Sequence, residues 1–124
     1  DIMEDAPTID VDKSVTDAAK LLVNARVSIV NVVSEKGKLI GIVTNWDITK
    51  AMASGLPMDS PLTKVMTADV ITTTPDAGII DCIRKLETND ISAMPIVEDD
   101  KVIGVISGDI LAGRTLYRLL QTMA

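Results

Sequence analysis

The chain has 124 residues, 47% of them hydrophobic, and a formal net charge of −6, which together indicate a soluble, folded protein of one ordinary domain or two small repeats. The acidic balance argues against nucleic acid or an anionic membrane as the main partner. With no His and a single Cys, the composition excludes an intrachain disulfide and argues against a transition-metal site. No apolar run is long enough to span a bilayer, so we expect a cytoplasmic protein.

The sequence contains an internal repeat. At an offset of 63 residues, the segment 38–44 (Lys-Leu-Ile-Gly-Ile-Val-Thr) lies on 101–107 (Lys-Val-Ile-Gly-Val-Ile-Ser). Upstream, an offset of 64 aligns residues 17–33 with 81–97, and Gly37 is the extra residue that separates the two registers. Such agreement predicts two tandem repeats. Their predicted bounds, with the linker between them, are 1–55, 56–61 and 62–124.

The first repeat reads as strand, helix, strand, strand and helix. After a β-prone stretch at 7–11, Ser14-Val15-Thr16-Asp17 has the pattern of a capping box and opens a helix with an apolar stripe. Residues 28–33 and 39–43 flank a polar turn and predict a β-hairpin. A second helix is expected to start near Asp47 and to end before Gly55.

The sequence of the second repeat predicts the same order of strands and helices. It has a β-prone stretch at 70–74 and a helix opening at Pro75-Asp76, whose apolar face is Ile79, Ile80, Ile83 and Leu86. A hairpin over 93–97 and 102–106 and a last helix from about 109 to 123 follow. Because the hairpin strands are nearly all apolar, we predict an α+β sandwich of two pseudo-symmetric β-α-β-β-α halves.

These features resemble a tandem pair of CBS (cystathionine β-synthase) domains, also called a Bateman module. Both repeats are roughly sixty residues long, open near a Met and carry a Gly-x-x-[Thr/Ser] corner followed by an Asp. The segments that carry the resemblance are Asp1-Ile2-Met3, Val65-Met66-Thr67, 91–97 and 41–47. In the second repeat, Ser107-Gly108-Asp109 is one residue shorter than the pattern.

The resemblance implies a regulatory module without catalytic activity or a catalytic cofactor. Such a module binds an adenosine compound (AMP, ADP, ATP or S-adenosylmethionine) in clefts between the repeats. It pairs into a homodimer and regulates an attached or partner effector domain. The alternative is a dimerisation and interaction module whose pockets are vestigial. An enzyme is the third and most distant reading, because the usual catalytic groups are missing.

The corner at Thr44 has a chemistry that suits a nucleotide. A helix start offers unpaired N–H groups to phosphate oxygens, and the Thr44 hydroxyl can donate to the same oxygens. The Asp47 carboxylate accepts only, so it suits the ribose hydroxyls, and Lys50 one turn later can supply a cation. The competing interpretation is that Thr44 and Asp47 merely cap their helix, for about 1 kcal/mol.

The resemblance also implies the rest of the main site, in which the adenine slot is partly built by the second repeat. The expected residues beside Thr44, Asp47 and Lys50 are Ile42, Asn45, Thr63, Ala68, Ile91 and Ser92. A second site would use Val27, Ser28, Val105, Ser107 and Asp109. We predict that it is weak or empty, because the shortened corner turns Asp109 by about 100° on a helix and because Glu4 and Asp5 lie in the opposing slot.

Four other residues have simpler interpretations. Cys82 is expected to be a small core residue, and the acidic stretch 98–100 a solvated turn. Trp46 is expected to pack against a dimer partner or the helix end, with cleft lining as the alternative. Asn31 is polar inside an apolar strand and needs a partner, which we expect to be structural rather than a ligand.

Overall fold

The computed structural model describes residues 7–108. Its elements follow in this order: β1 (Thr8–Asp10), α1 (Val15–Ala25), β2 (Ile29–Val33), β3 (Leu39–Thr44), α2 (Asn45–Ala53), a 3₁₀ turn (Leu62–Lys64), α3 (Ile79–Thr88), β4 (Ala93–Glu98) and β5 (Lys101–Ser107). The predicted last helix at about 109–123 lies outside the described residues. For the first repeat, the predicted order of elements is confirmed.

The predicted capping box begins α1. The Ser14 backbone N–H donates to Asp17 Oδ2 at 3.1 Å, and the Asp17 N–H donates back to Ser14 Oγ at 3.2 Å. The Ser14 backbone N–H, followed by its hydroxyl, holds the pKa of Asp17 below its ordinary value by favouring the ionised carboxylate. Behind this cap Val15, Ala18 and Leu22 are buried, as their helical spacing predicts.

Each repeat contains one small β-sheet. In the first, β2 lies between a parallel β1 and an antiparallel β3, and every residue of β2 is buried. In the second, β4 and β5 form an antiparallel pair. Each sheet packs against the helix that precedes its hairpin, and Leu22 and Leu86 occupy equivalent places in the two cores. The fold is therefore an α+β arrangement of two similar halves.

The predicted strand at 70–74 is wrong. The segment makes one isolated parallel bridge, Thr73 to Ile96, where the first repeat has a three-residue strand. Two backbone bonds of the first repeat have no counterpart here: Asn31 N–H donates to Pro7 O and Val11 N–H donates to Val33 O, each at 3.0 Å. At the offset of 64 residues these positions are Pro95 and Pro75, which have no N–H and therefore cannot make the matching bonds.

The predicted start of α3 is also wrong. Thr74 to Ala77 form a turn instead, in which Ala77 N–H donates to Thr74 O at 3.2 Å, and the helix begins at Ile79. Its N-cap, Gly78, has no side chain with which to bind the first turn. The predicted apolar face is correct at Leu86 but wrong at Ile80, which is 62% exposed.

The repeats are joined by backbone pairing. Ile42 and Thr67 exchange two hydrogen bonds, of 3.0 and 2.9 Å, so the start of the second repeat pairs with β3. Gly41 permits this approach, because a Cβ there would lie 3.1 Å from Thr67 O and 2.8 Å from Met66 Sδ. The glycine of the corner motif thus serves packing between the repeats.

Candidate functional site

The corner at Thr44 is a second capping box. Thr44 is the N-cap of α2, which begins two residues earlier than predicted. Thr44 N–H and Thr44 Oγ1 donate to Asp47 Oδ2 at 2.8 and 3.0 Å, and Asp47 N–H donates to Thr44 Oγ1 at 3.3 Å. The capping interpretation of these two residues therefore holds, whatever else they bind.

Four donors at this helix start already have partners within the chain. Thr44 N–H, Thr44 Oγ1 and Asp47 N–H belong to the capping box, and Asn45 N–H donates to Ser28 O at 3.2 Å. The Asp47 carboxylate thus occupies the end of the helix where a phosphate was expected, and its charge already satisfies the helix dipole.

Asp47 keeps part of its capacity as an acceptor. The side chain is only 9% exposed, and both bonds described above go to Oδ2. Among the described residues no donor reaches Oδ1. A carboxylate offers about four acceptor positions, so Asp47 can cap α2 and still accept a hydrogen bond from a sugar hydroxyl.

An inter-repeat cavity of about 350 Å³ lies beside Thr44. From the first repeat it is lined by Ser28, Ile29, Ile42, Thr44, Asn45 and Trp46, and from the second by residues 90–93. It brings together five residues predicted for the main site: Ile42, Thr44, Asn45, Ile91 and Ser92. Ser28, which was expected in the second site, lies in the same cavity.

Asp47 and Lys50 line a different cavity, of about 580 Å³. This lysine cavity lies between the C-terminal half of α2 and the 3₁₀ turn, which contributes Lys64; Val65, the next residue, also lines it. Both lysines are exposed. Sequence reasoning missed Lys64, since nothing in a three-residue turn after the linker indicates that its side chain points back towards α2.

The other predicted site residues are scattered. Ala68 lines a third cavity, of about 200 Å³, and Thr63 is exposed on the 3₁₀ turn and lines none of the three. Of the second site, Val27 is half-buried and Val105 is fully buried in β5. Ser107 ends β5, and Asp109 lies outside the described residues.

Trp46 and Asp90, which were not among the predicted site residues, also line the inter-repeat cavity. Trp46 is 65% exposed and lies at its edge, the alternative left open for this side chain. Asp90 has a positive φ of 51° where the chain leaves α3. The sequence signal for Asp90 was its position next to Ile91 and Ser92, which were predicted to line the slot.

Two further expectations concern single buried residues, Cys82 and Asn31. Cys82 is buried in the second core, 3.8 Å from Thr73 Oγ1, as expected of a small core residue. Asn31 is fully buried; its Nδ2 donates to Pro7 O at 3.4 Å, and Oδ1 has no partner.

Within residues 7–108 there is no helix that could cross a membrane and no cluster of three metal-ligating side chains.

Known proteins are similar to this chain over most of its length. The sequence profile of the CBS domain matches residues 1–54 and 62–112. Over 111 residues the chain is 40% identical to a homoserine O-acetyltransferase of Methanosalsum zhilinae and 39% identical to an L-aspartate semialdehyde sulfurtransferase of Methanosarcina acetivorans. Each match covers 88% of this chain and 22% of the relative, so the chain spans about a fifth of their length.

A solved structure shares the fold closely. The CBS domain pair of protein MJ0100, in complex with 5′-methylthioadenosine and S-adenosyl-L-methionine, superposes with a TM-score of 0.83. The two sequences are 30% identical, and the match covers 94% of each chain.

Proposed function

The chain belongs to the CBS domain family, and we propose that it is a regulatory module that binds an adenosine compound between its two repeats. The observation that carries this proposal is the inter-repeat cavity. Its walls come from both repeats, and it gathers five residues that the sequence predicts for ligand binding. A cavity of this size, lined by both apolar side chains and polar groups, is typical of a small-molecule site.

The identity of the ligand class rests on chemistry and on one relative. In the proposed site the apolar side chains of Ile42 and Ile91 contact the base. Asp47 bonds to Thr44, which lines this cavity, and itself lines the neighbouring lysine cavity; from there its Oδ1 accepts from a ribose hydroxyl. The MJ0100 domain pair binds two adenosine compounds that differ at the 5′ carbon. The nucleoside is the part they share, which supports adenosine recognition by the present chain.

We also propose that the module regulates rather than catalyses. The two relatives have different enzyme names but share the segment that matches this chain. A segment common to two reactions is better suited to control than to either chemistry. In this proposal the activity belongs to the remaining four-fifths of those proteins, and ligand binding to the module changes that activity.

The test separates ligand binding from helix capping. Asp47→Ala removes both the capping box of α2 and the proposed ribose contact, and Asp17→Ala removes the equivalent capping box of α1 outside the cavity. Calorimetry should show at least about a tenfold loss of affinity for adenosine compounds in Asp47→Ala only, because hydrogen bonds to a charged group contribute about 1.5–3 kcal/mol each. An equal loss in both variants would contradict the ribose assignment.

A second candidate function is a dimerisation module without nucleotide binding. The observation that favours it is a set of large apolar side chains left exposed on the described surface: Val23, Met52 and Ile80. It predicts a stable dimer in sedimentation experiments together with no thermal shift on addition of any adenosine compound.

A further inference from the structure

We infer that the inter-repeat cavity prefers adenosine compounds whose 5′ substituent is neutral or positively charged over compounds with a 5′ phosphate. This inference rests on the proposed function and specifies the ligand class for the same cavity. Its basis is the charge of the groups that line the cavity and the state of the hydrogen-bond donors at the start of α2.

The first argument is the carboxylate of Asp90. Its position is fixed by the end of α3, where Asp90 N–H donates to Glu87 O at 3.2 Å and Ile91 N–H donates to Leu86 O at 3.0 Å. Asp90 is exposed and lines the cavity together with Thr44. A phosphate monoester carries about −1.5 to −2 charges at pH 7, so Asp90 repels it and attracts a cation.

The second argument is the helix start beside Thr44. A phosphate is normally held there by free N–H groups, but Thr44 N–H and Asp47 N–H already bond within the capping box, and Asn45 N–H bonds to Ser28 O. A phosphate would have to replace the Asp47 carboxylate at Thr44 N–H, the Thr44 hydroxyl at Asp47 N–H or the Ser28 carbonyl at Asn45 N–H. A neutral or cationic substituent makes no such demand.

The third argument is Trp46, the single tryptophan of the chain. Its exposed indole lines the cavity that contains the Asp90 carboxylate. An aromatic face attracts cations through its quadrupole, most strongly when the ring is an indole. A sulfonium centre attached to the 5′ carbon would therefore meet two favourable groups, whereas a phosphate meets one repulsive carboxylate and one aromatic face.

The equivalent position in the first repeat shows that the backbone conformation at Asp90 does not select an acidic side chain. At the offset of 64 residues Asp90 corresponds to Arg26, which ends α1 with a φ of 56°, close to the 51° of Asp90. Both an acidic and a basic residue thus occupy this left-handed position. The backbone conformation does not require an acid, so the carboxylate is available to determine selectivity.

The experiment is calorimetric titration of the chain with 5′-methylthioadenosine, S-adenosylmethionine and AMP, with Trp46 fluorescence as a second readout. We expect AMP to bind at least about tenfold more weakly than the other two. Asp90→Asn should weaken S-adenosylmethionine about two- to fivefold, as for an exposed ion pair, and strengthen AMP by a similar factor while leaving 5′-methylthioadenosine unchanged. Asparagine tolerates the left-handed conformation, so this variant is expected to fold.

Glu35→Gln is the matched control, because it removes one negative charge from the exposed turn of the first hairpin and should alter none of the three affinities. AMP binding as tight as that of 5′-methylthioadenosine would overturn the inference and leave the proposed function standing. So would an equal effect of Asp90→Asn on all three ligands. If the unmodified chain bound none of them, the proposed function itself would be overturned.

Discussion

The two repeats follow the same chain path but stabilise it with different local interactions. In the first, α1 starts with a reciprocal capping box between Ser14 and Asp17; in the second, α3 starts at Gly78 without any side-chain cap. The acid of the box is retained as Asp81, and only the hydroxyl is missing. The hairpins that follow nevertheless pair in the same register, so the repeat is specified by its apolar pattern more than by its caps.

The strands differ in an equally instructive way. Asn31 and Pro95 occupy the same place in β2 and β4, and both lie opposite a residue of the following strand. The N–H at this place points to the preceding segment, since Asn31 N–H donates to Pro7 O. Pro95 therefore leaves the hairpin intact and removes one bond of the outer ladder. Pro75, at the place of Val11, removes another, and a single bridge remains.

The largest expected effect comes from the glycine at which the repeats meet. Gly41→Ala should lower the free energy of unfolding by about 1–3 kcal/mol, because the new Cβ would lie 3.1 Å from the carbonyl oxygen of Thr67. Urea unfolding at neutral pH measures this change in the free energy of unfolding. Gly108→Ala is the matched control at the corner of the second repeat, where the nearest atom, Ser92 O, would be 3.6 Å away. If both variants were equally stable, close approach would not explain Gly41.

An effect of opposite sign is expected at Asn31. Asn31→Val should raise the free energy of unfolding by about 1 kcal/mol, because it removes a buried Oδ1 that has no partner. Thermal unfolding of the variant, with and without an adenosine compound, tests this prediction and the structural role expected for Asn31. A less stable variant would contradict it, and a loss of ligand binding would assign Asn31 to the site.

The smallest effect would make the two repeats more alike. Gly78→Ser should stabilise the chain by about 0.5 kcal/mol, because a Cβ on Gly78 lies 3.8 Å from Asp81 Oδ2 and the added hydroxyl completes a capping box. Ser14→Gly in the first repeat should lose a similar amount. Chemical denaturation of both variants gives the comparison; no gain from Gly78→Ser would show that the start of α3 cannot adopt the box.

The repeats and their hairpins could be predicted from the sequence because apolar periodicity is duplicated in them, and the family match confirms the resemblance. The loss of the first strand of the second repeat could not, because it depends on which backbone N–H groups of the first repeat point to the neighbouring strand and are replaced by proline in the second. The sequence also did not predict that Thr44 and Asp47 line different cavities. Spacing places both residues in one helical turn, but where each side chain lies depends on how 64–65 and 90–93 pack around that turn.

The backbone pairing between Ile42 and Thr67 has a consequence for the behaviour of the chain in solution. Strand β3 lies at the edge of its sheet, and an open edge can recruit a strand from another molecule and begin aggregation. Thr67 occupies the middle of that edge, and Asp100 O accepts from Leu39 N–H at its beginning, at 3.4 Å. The second repeat therefore protects the first from intermolecular strand addition.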